Sequence, residues 1–203
     1  MDTDIQFSSF KDGDYSLTAR FLPQFPNAFD GPIIAENGSG TFAVGQGNYD
    51  RGGDQTNLFV QIGSNYQSFP VALGAGSWYH LALVGKKGRE SFTYTLYLNG
   101  NALSPNFTVP IADLPDGTIR LGKRTRGKTI NTHDAQFFGL IDDVGVVDKS
   151  LSNQEIQTLA AGTYAFTGNE SGLIAAIPFD GTSSAAVFQT NAQLKGGGHR
   201  GHF

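Results

Sequence analysis

Apolar and polar residues alternate with a period of two along several stretches of this chain, and turn-forming residues separate the stretches. Tyr15, Leu17, Ala19 and Phe21 alternate with Ser16, Thr18 and Arg20, the pattern of a β-strand with one buried face. Further strands are predicted at Pro32 to Ala35, Thr41 to Val44 and Asn57 to Ile62, spaced by Asn37-Gly38, Gly45 to Asn48 and Gly52-Gly53. Trp78 to Val84 and Phe92 to Leu98 read as a β-hairpin across the charged stretch Gly85 to Glu90, and Asn99-Gly100 marks another tight turn. Thr118 to Leu121 continues the series. An apolar run from Phe137 to Val147 carries Asp142-Asp143 in its middle, and Leu173 to Phe179 reads as a last strand.

One helix stands out, Ser152 to Ala161. Ser152 with Glu155 three residues on forms a capping box, Leu151 and Ile156 suit a hydrophobic staple, and Gly162 provides the stop. Many strands and one short helix predict an all-β fold, an antiparallel two-sheet jelly-roll sandwich. Its core is expected to include Leu17, Ala19, Phe21, Val60, Trp78, Leu96, Leu98, Leu121, Ile141 and Val144.

Composition narrows the function. Only 16% of the 203 residues are charged while 27 are glycine, against typical values of about 25% and about 7%, so helical bundles are disfavoured. A net charge of -4 gives no broad positive field for nucleic acid. The absence of cysteine removes disulfides, thiolate zinc sites and cysteine nucleophiles together. No stretch approaches the roughly 18 apolar residues of a membrane span, so membrane insertion is not expected.

Four segments, in order, resemble the laminin-G-like jelly-roll modules of the concanavalin A-like lectin/glucanase superfamily. They are Asp14 to Phe21, Trp78 to Val84 with Thr95 to Gly100, Ile119 to Gly122, and Phe138 to Val144 leading into Ser150-Leu151-Ser152 and Glu155-Ile156. The resemblance implies a domain over residues 1–181, followed by a flexible segment over 182–203. Gly172 to Gly181 is similar to the opening strand of such modules, so it either starts a following repeat or returns to the sheet of this domain. The resemblance also places Trp78 in the core, which removes the strongest sign of a sugar platform.

Hydrolases of the superfamily carry a Glu-x-Asp-x-Glu arrangement on one strand, and none of Glu36, Glu90, Glu155 and Glu170 is so arranged. Asp142 and Asp143 are neighbours on a strand, where alternation turns them to opposite faces. His80, in an alternating strand, reads as a packed histidine. A non-catalytic module is therefore expected, binding a glycan or cell-surface polysaccharide as an adhesive or accessory part of a larger extracellular or cell-surface protein. The alternative is a spacer or protein-interaction domain contacting neighbouring domains of the same polypeptide.

The candidate glycan ligands are Tyr49, Arg51, Tyr66, Arg124 and Arg126, because aromatic faces stack on sugars and guanidinium groups orient hydroxyls. A structural Ca2+ ion is the expected cofactor, if one is bound. The resemblance makes Asp142 its leading ligand, with oxygens from Asp12 and Asp14 and a further candidate in Asp180.

Overall fold

The structure, a computed structural model, describes residues 1–26, 31–37, 41–47, 57–124, 135–164 and 166–179. Within them the chain forms β1 (Asp2–Gln6), β2 (Tyr15–Pro23), β3 (Gly31–Asn37), β4 (Phe42–Gln46), β5 (Asn57–Ile62), β6 (Asn65–Pro70) and β7 (Tyr79–Lys87). There follow β8 (Ser91–Leu98), β9 (Asn101–Ala102), β10 (Phe107–Pro110), β11 (Thr118–Leu121), β12 (Lys123–Arg124) and β13 (Ala135–Gln136). The last elements are β14 (Gly139–Val147), helix α1 (Asn153–Ala160) and β15 (Leu173–Ile177).

The strands pair into a six-stranded sheet, β1-β11-β3-β4-β5-β6, and a seven-stranded sheet, β10-β8-β7-β2-β14-β15, with β9 attached to β8. Every pairing is antiparallel, as the jelly-roll expectation requires. The Leu173 to Phe179 run takes one of its two readings: β15 pairs with β14, Val144 lying opposite Ile177. Residues 182–203 lie outside the described residues.

Alternation places one face of each sheet in the core. Tyr15, Leu17, Ala19 and Phe21 of β2 meet Leu81 and Leu83 of β7 and Phe42, Val44 and Val60 of the other sheet, all buried. The hydroxyls of Tyr15 and Tyr94 lie 2.6 Å apart in this interior, so one donates a hydrogen bond to the other. Leu98 and Ile141 pack against the core from partly buried positions. The Asn99-Gly100 turn has φ of 49° and 80°, the left-handed pair that a tight hairpin needs.

Helix α1 begins as its sequence predicts. Ser152 Oγ accepts from the Glu155 backbone N–H, and Glu155 Oε2 accepts from the Ser152 backbone N–H at 2.8 Å. Ile156 and Leu159 then face Ala82, Val84, Val147, Leu151, Leu173 and Ala176, which covers part of the seven-stranded sheet's outer face. Ser152→Ala is expected to cost about 1 kcal/mol in urea denaturation, the usual worth of an N-cap. An unchanged midpoint would mean that packing alone sets this helix end.

Candidate functional site

The outer face of the seven-stranded sheet is only partly covered by α1, and its other end carries polar groups. Because Phe21 faces the core, Arg20 faces outward; it lies opposite His80 of β7 on one side and Asp142 of β14 on the other. One register step further, Phe21 pairs with Tyr79 and Leu22 with Leu140. Trp78, just before Tyr79, therefore joins Leu22 and Leu140 in a second outward row. Trp78 is 41% exposed and Leu140 is also exposed.

This corrects the expectation that Trp78 belongs to the core. The strand that follows it, β7, buries Leu81 and Leu83 and packs the partly buried Tyr79 against the core, so the indole shares the outer face with His80, Ala82 and Val84. The Arg20 guanidinium carbon sits 5.9 Å from the Trp78 ring centroid, within cation–π range.

Asp142 and Asp143 give a second correction. The pairing of β14 with β2 shifts between Asp142 and Gly145, and Asp143 has φ 45° within this irregularity. A bulge of this kind re-aims a side chain. Asp143 Oδ2 comes to 3.9 Å from Arg20 Nη1, so both neighbouring carboxylates serve one face instead of two. Asp142 Oδ1 accepts from the backbone N–H of Asp143 at 2.8 Å and of Phe179 at 2.9 Å.

Beside this row lies a cavity of about 40 Å³, lined by Arg20, His80, Asp143, Leu159, Tyr164 and Phe166 among others. His80 is only 4% exposed, which bears out its reading as a packed histidine. Its backbone exchanges hydrogen bonds with Asn99, yet among the described residues its Nδ1 has no partner, nor do Arg20 Nε and Thr18 Oγ1. Burial, reinforced by the Arg20 charge, pulls the imidazole from 6.5 down to about 4, so it is neutral at neutral pH. The Tyr164 hydroxyl donates to Glu170, and burial followed by this carboxylate pushes the phenol up to about 12.

A larger groove, about 320 Å³, continues along α1 over Val147, Leu151, Leu159 and Phe166. Its carboxylates are already committed. Lys149 and the Ser152 backbone hold Glu155 down to about 2; Glu170 also sits at about 2, because the Thr167 backbone and Tyr164 outweigh the upward push of desolvation.

The other candidates are scattered. Tyr66 stacks on Phe59 at 5.8 Å on the six-stranded sheet, away from Arg20. Arg124 lies in β12, paired with Ala135, while its side chain lies outside the described residues. Tyr49, Arg51, Arg126 and Asp180 lie outside them altogether. Arg120 donates to both carboxylate oxygens of Asp2, an arrangement that lowers the Asp2 pKa.

One ion shared by Asp12, Asp14 and Asp142 does not fit this geometry. Asp14 precedes β2, where its oxygens accept from the Lys87 backbone N–H and Ser150 Oγ, whereas Asp142 lies opposite Arg20. Six residues of extended strand separate those points by on the order of 20 Å. The Asp12 carbonyl accepts from Lys87 Nζ at the same far end. Among the described residues no group of three or more His, Cys, Asp or Glu side chains is placed to hold a metal.

The two-sheet architecture and the residue patterns agree with the family comparison: the family described as the concanavalin A-like lectin/glucanases superfamily matches residues 2–157. The chain belongs to this superfamily. No curated protein sequence matches this superfamily member significantly. Among solved structures it is similar to a protein from Bacteroides ovatus inferred to bind carbohydrate, with TM-score 0.65 and 16% identity over 90% of this chain and 48% of that one. The chain thus spans about half the length of that relative. It is also similar to a native heptameric SAP-like pentraxin from Limulus polyphemus, with TM-score 0.53 and 21% identity over 72% of this chain and 69% of that one. A third similar structure is domain 4 of a GH43 extracellular arabinanase from Geobacillus stearothermophilus in complex with arabinotriose, with TM-score 0.51 and 19% identity over 73% of this chain and 66% of that one. At these identities the likeness is one of fold.

Proposed function

We propose that this superfamily member is a non-catalytic carbohydrate-binding module, and that it serves as an accessory or adhesive part of a larger secreted or surface protein. The observation that carries the reading is Trp78: an exposed indole beside one guanidinium and two carboxylates offers a stacking face flanked by hydrogen-bonding groups. Superfamily membership and the likeness to an arabinanase domain seen with arabinotriose support it. Catalysis is disfavoured because a glycosidase sets its two carboxyls on either side of the scissile bond. Asp142 and Asp143 are chain neighbours at a single flank of Arg20. Among the described residues no helix is long and apolar enough to cross a membrane.

Trp78→Ala is expected to weaken binding to a glycan found by array screening at least about tenfold, on the scale of truncating an aromatic anchor. The melting temperature should stay near wild type, since the indole is exposed. Full retention of affinity would move the site elsewhere, and turnover of a polysaccharide would overturn the non-catalytic reading. A second reading, a protein-interaction module, is favoured by exposed Phe25, Phe138, Leu140 and Phe179. Phe25 and Phe138 contact each other at 6.1 Å, and Gln24 N–H donates to the Phe138 carbonyl, so the Phe25–Phe138 contact lies at the same sheet end as Leu140.

A further inference from the structure

We infer that the small cavity beside Arg20 and His80 is a subsite for an acetamido group, so that the ligand of the Trp78 platform is an N-acetylated amino sugar. The inference rests on the carbohydrate-binding reading and narrows it to a substrate class.

The cavity follows from the outward rows of three strands. Thr18 of β2, Gly145 of β14 and Ala176 of β15 lie side by side across the sheet, two residues along β2 from Arg20. Gly145 keeps this row shallow: a Cβ there would collide with the Phe166 ring, which therefore lies directly against the strand. Phe166, Leu159 of α1, Ala176 and Ile177 of β15, Arg20 and His80 line a space of about 40 Å³.

Polar needs limit what can occupy it. Among the described residues His80 Nδ1 and Arg20 Nε are buried without a hydrogen-bond partner, and His80 is only 4% exposed. Unpaired buried polar atoms are costly, so an occupant that meets both is favoured. Arg20 Nε–H can only donate, which requires an acceptor on the occupant. His80 Nδ1 donates or accepts according to its tautomer. The Tyr164 hydroxyl, from another lining residue, is already committed to Glu170.

Volume and apolar lining choose among the acceptors. One water needs roughly 10–15 Å³, so the space takes a group of several heavy atoms. A hydroxyl or a carboxylate would answer the two nitrogens but leave Leu159, Phe166, Ala176 and Ile177 with little to touch. A hydrocarbon group would do the reverse. An acetamido group meets both demands: its carbonyl accepts from Arg20 Nε–H and its methyl packs on the apolar residues. His80 Nδ1 finds the carbonyl in one tautomer and the amide N–H in the other. Arg20 joins the cavity to the platform, because its guanidinium carbon is 5.9 Å from the Trp78 ring centroid. A sugar ring stacked on the indole thus has an exocyclic substituent within reach of the cavity.

The test is titration calorimetry of the whole chain with matched pairs of methyl glycosides, each an N-acetylated amino sugar and the parent sugar with a hydroxyl in its place. The pairs have the gluco, galacto and manno configurations, and an arabinose tetramer is run beside them. In at least one pair the acetamido member is expected to bind at least about tenfold more tightly than its parent. If the parent binds as tightly in every pair, or the arabinose tetramer alone binds, the inference is overturned and the carbohydrate reading stands. If none of these probes and no glycan on an array binds, the underlying reading fails and the inference falls with it. Ala176→Leu, which fills the cavity from β15, is expected to weaken binding of the acetamido member at least about tenfold, and full retention overturns the cavity as its site. Should this variant not fold, the N-formyl analogue of the preferred sugar decides on the wild-type protein. It keeps the carbonyl and the N–H but lacks the methyl, so it is expected to bind about fourfold more weakly, and equal binding overturns the inference.

Discussion

Lowering the pH from 7 to 4 is expected to remove about 3 kcal/mol of folding stability through one side chain, His80. The imidazole is buried beside Arg20, and burial first, the guanidinium second, hold it neutral down to about 4 against an ordinary value of 6.5. Between those values the unfolded chain binds a proton that the folded chain does not. Stability therefore rises with pH across this window. The contribution is complete above 6.5, is lost as the pH falls, and reaches its full loss below about 4. At about 1.4 kcal/mol per pH unit, that window corresponds to about 3 kcal/mol.

Carboxylates titrate over part of the same range, so the measurement is a difference. Urea denaturation of wild type and His80→Gln at pH 7, 5.5 and 4 should show the variant losing about 3 kcal/mol less. The substitution leaves the backbone exchange between residues 80 and 99 available, because it uses the residue-80 N–H and C=O. Parallel pH profiles for the two proteins would sink the assignment.

The local features were legible because their causes lie within a few residues. Ser152 and Glu155 are three apart and meet through one turn of chain, and Asn99-Gly100 supplies its two positive φ angles from its own residue types. The inward row of β2 follows from period-two alternation once the pleat is formed. The platform was less legible for two physical reasons. Strand β7 is apolar on both faces, since α1 covers Ala82 and Val84 outside while Leu81 and Leu83 fill the core. Alternation groups Trp78 with His80, Ala82 and Val84, but it cannot say which group faces inward. Asp143 depends on a bulge, and nothing in Asp142-Asp143 announces that the strand will break its period there. The signal that could have located the site was Arg20, a charge set in an otherwise well-formed strand with His80 and Asp142 as its register neighbours.

Glycine marks the limit of the same kind of reading. Gly45 suggests a turn by residue type, yet the structure carries β4 through it to Gln46. What requires glycine is the approach of strand β3. A Cβ on Gly45 would collide with the Gly31 carbonyl oxygen and lie 2.7 Å from the Pro32 Cα. Both obstacles are backbone, and Pro32 has its φ fixed by its ring, so little can yield. The pairing of β3 with β4 already shifts register between Pro32 and Ile34, immediately beside the contact. Gly45→Ala is therefore expected to destabilise the protein by about 3 kcal/mol, the upper end of ordinary overpacking costs, or to prevent folding. For a chain of this length that corresponds to a fall of roughly 6 to 12 °C in melting temperature. Gly13→Ala is the control, since a Cβ there meets nothing within 4 Å, and it should melt close to wild type. If thermal melts place Gly45→Ala within about 1 °C of that control, the strands separate more easily than their backbone contact implies, and the close approach of β3 to β4 is not what demands glycine at this position.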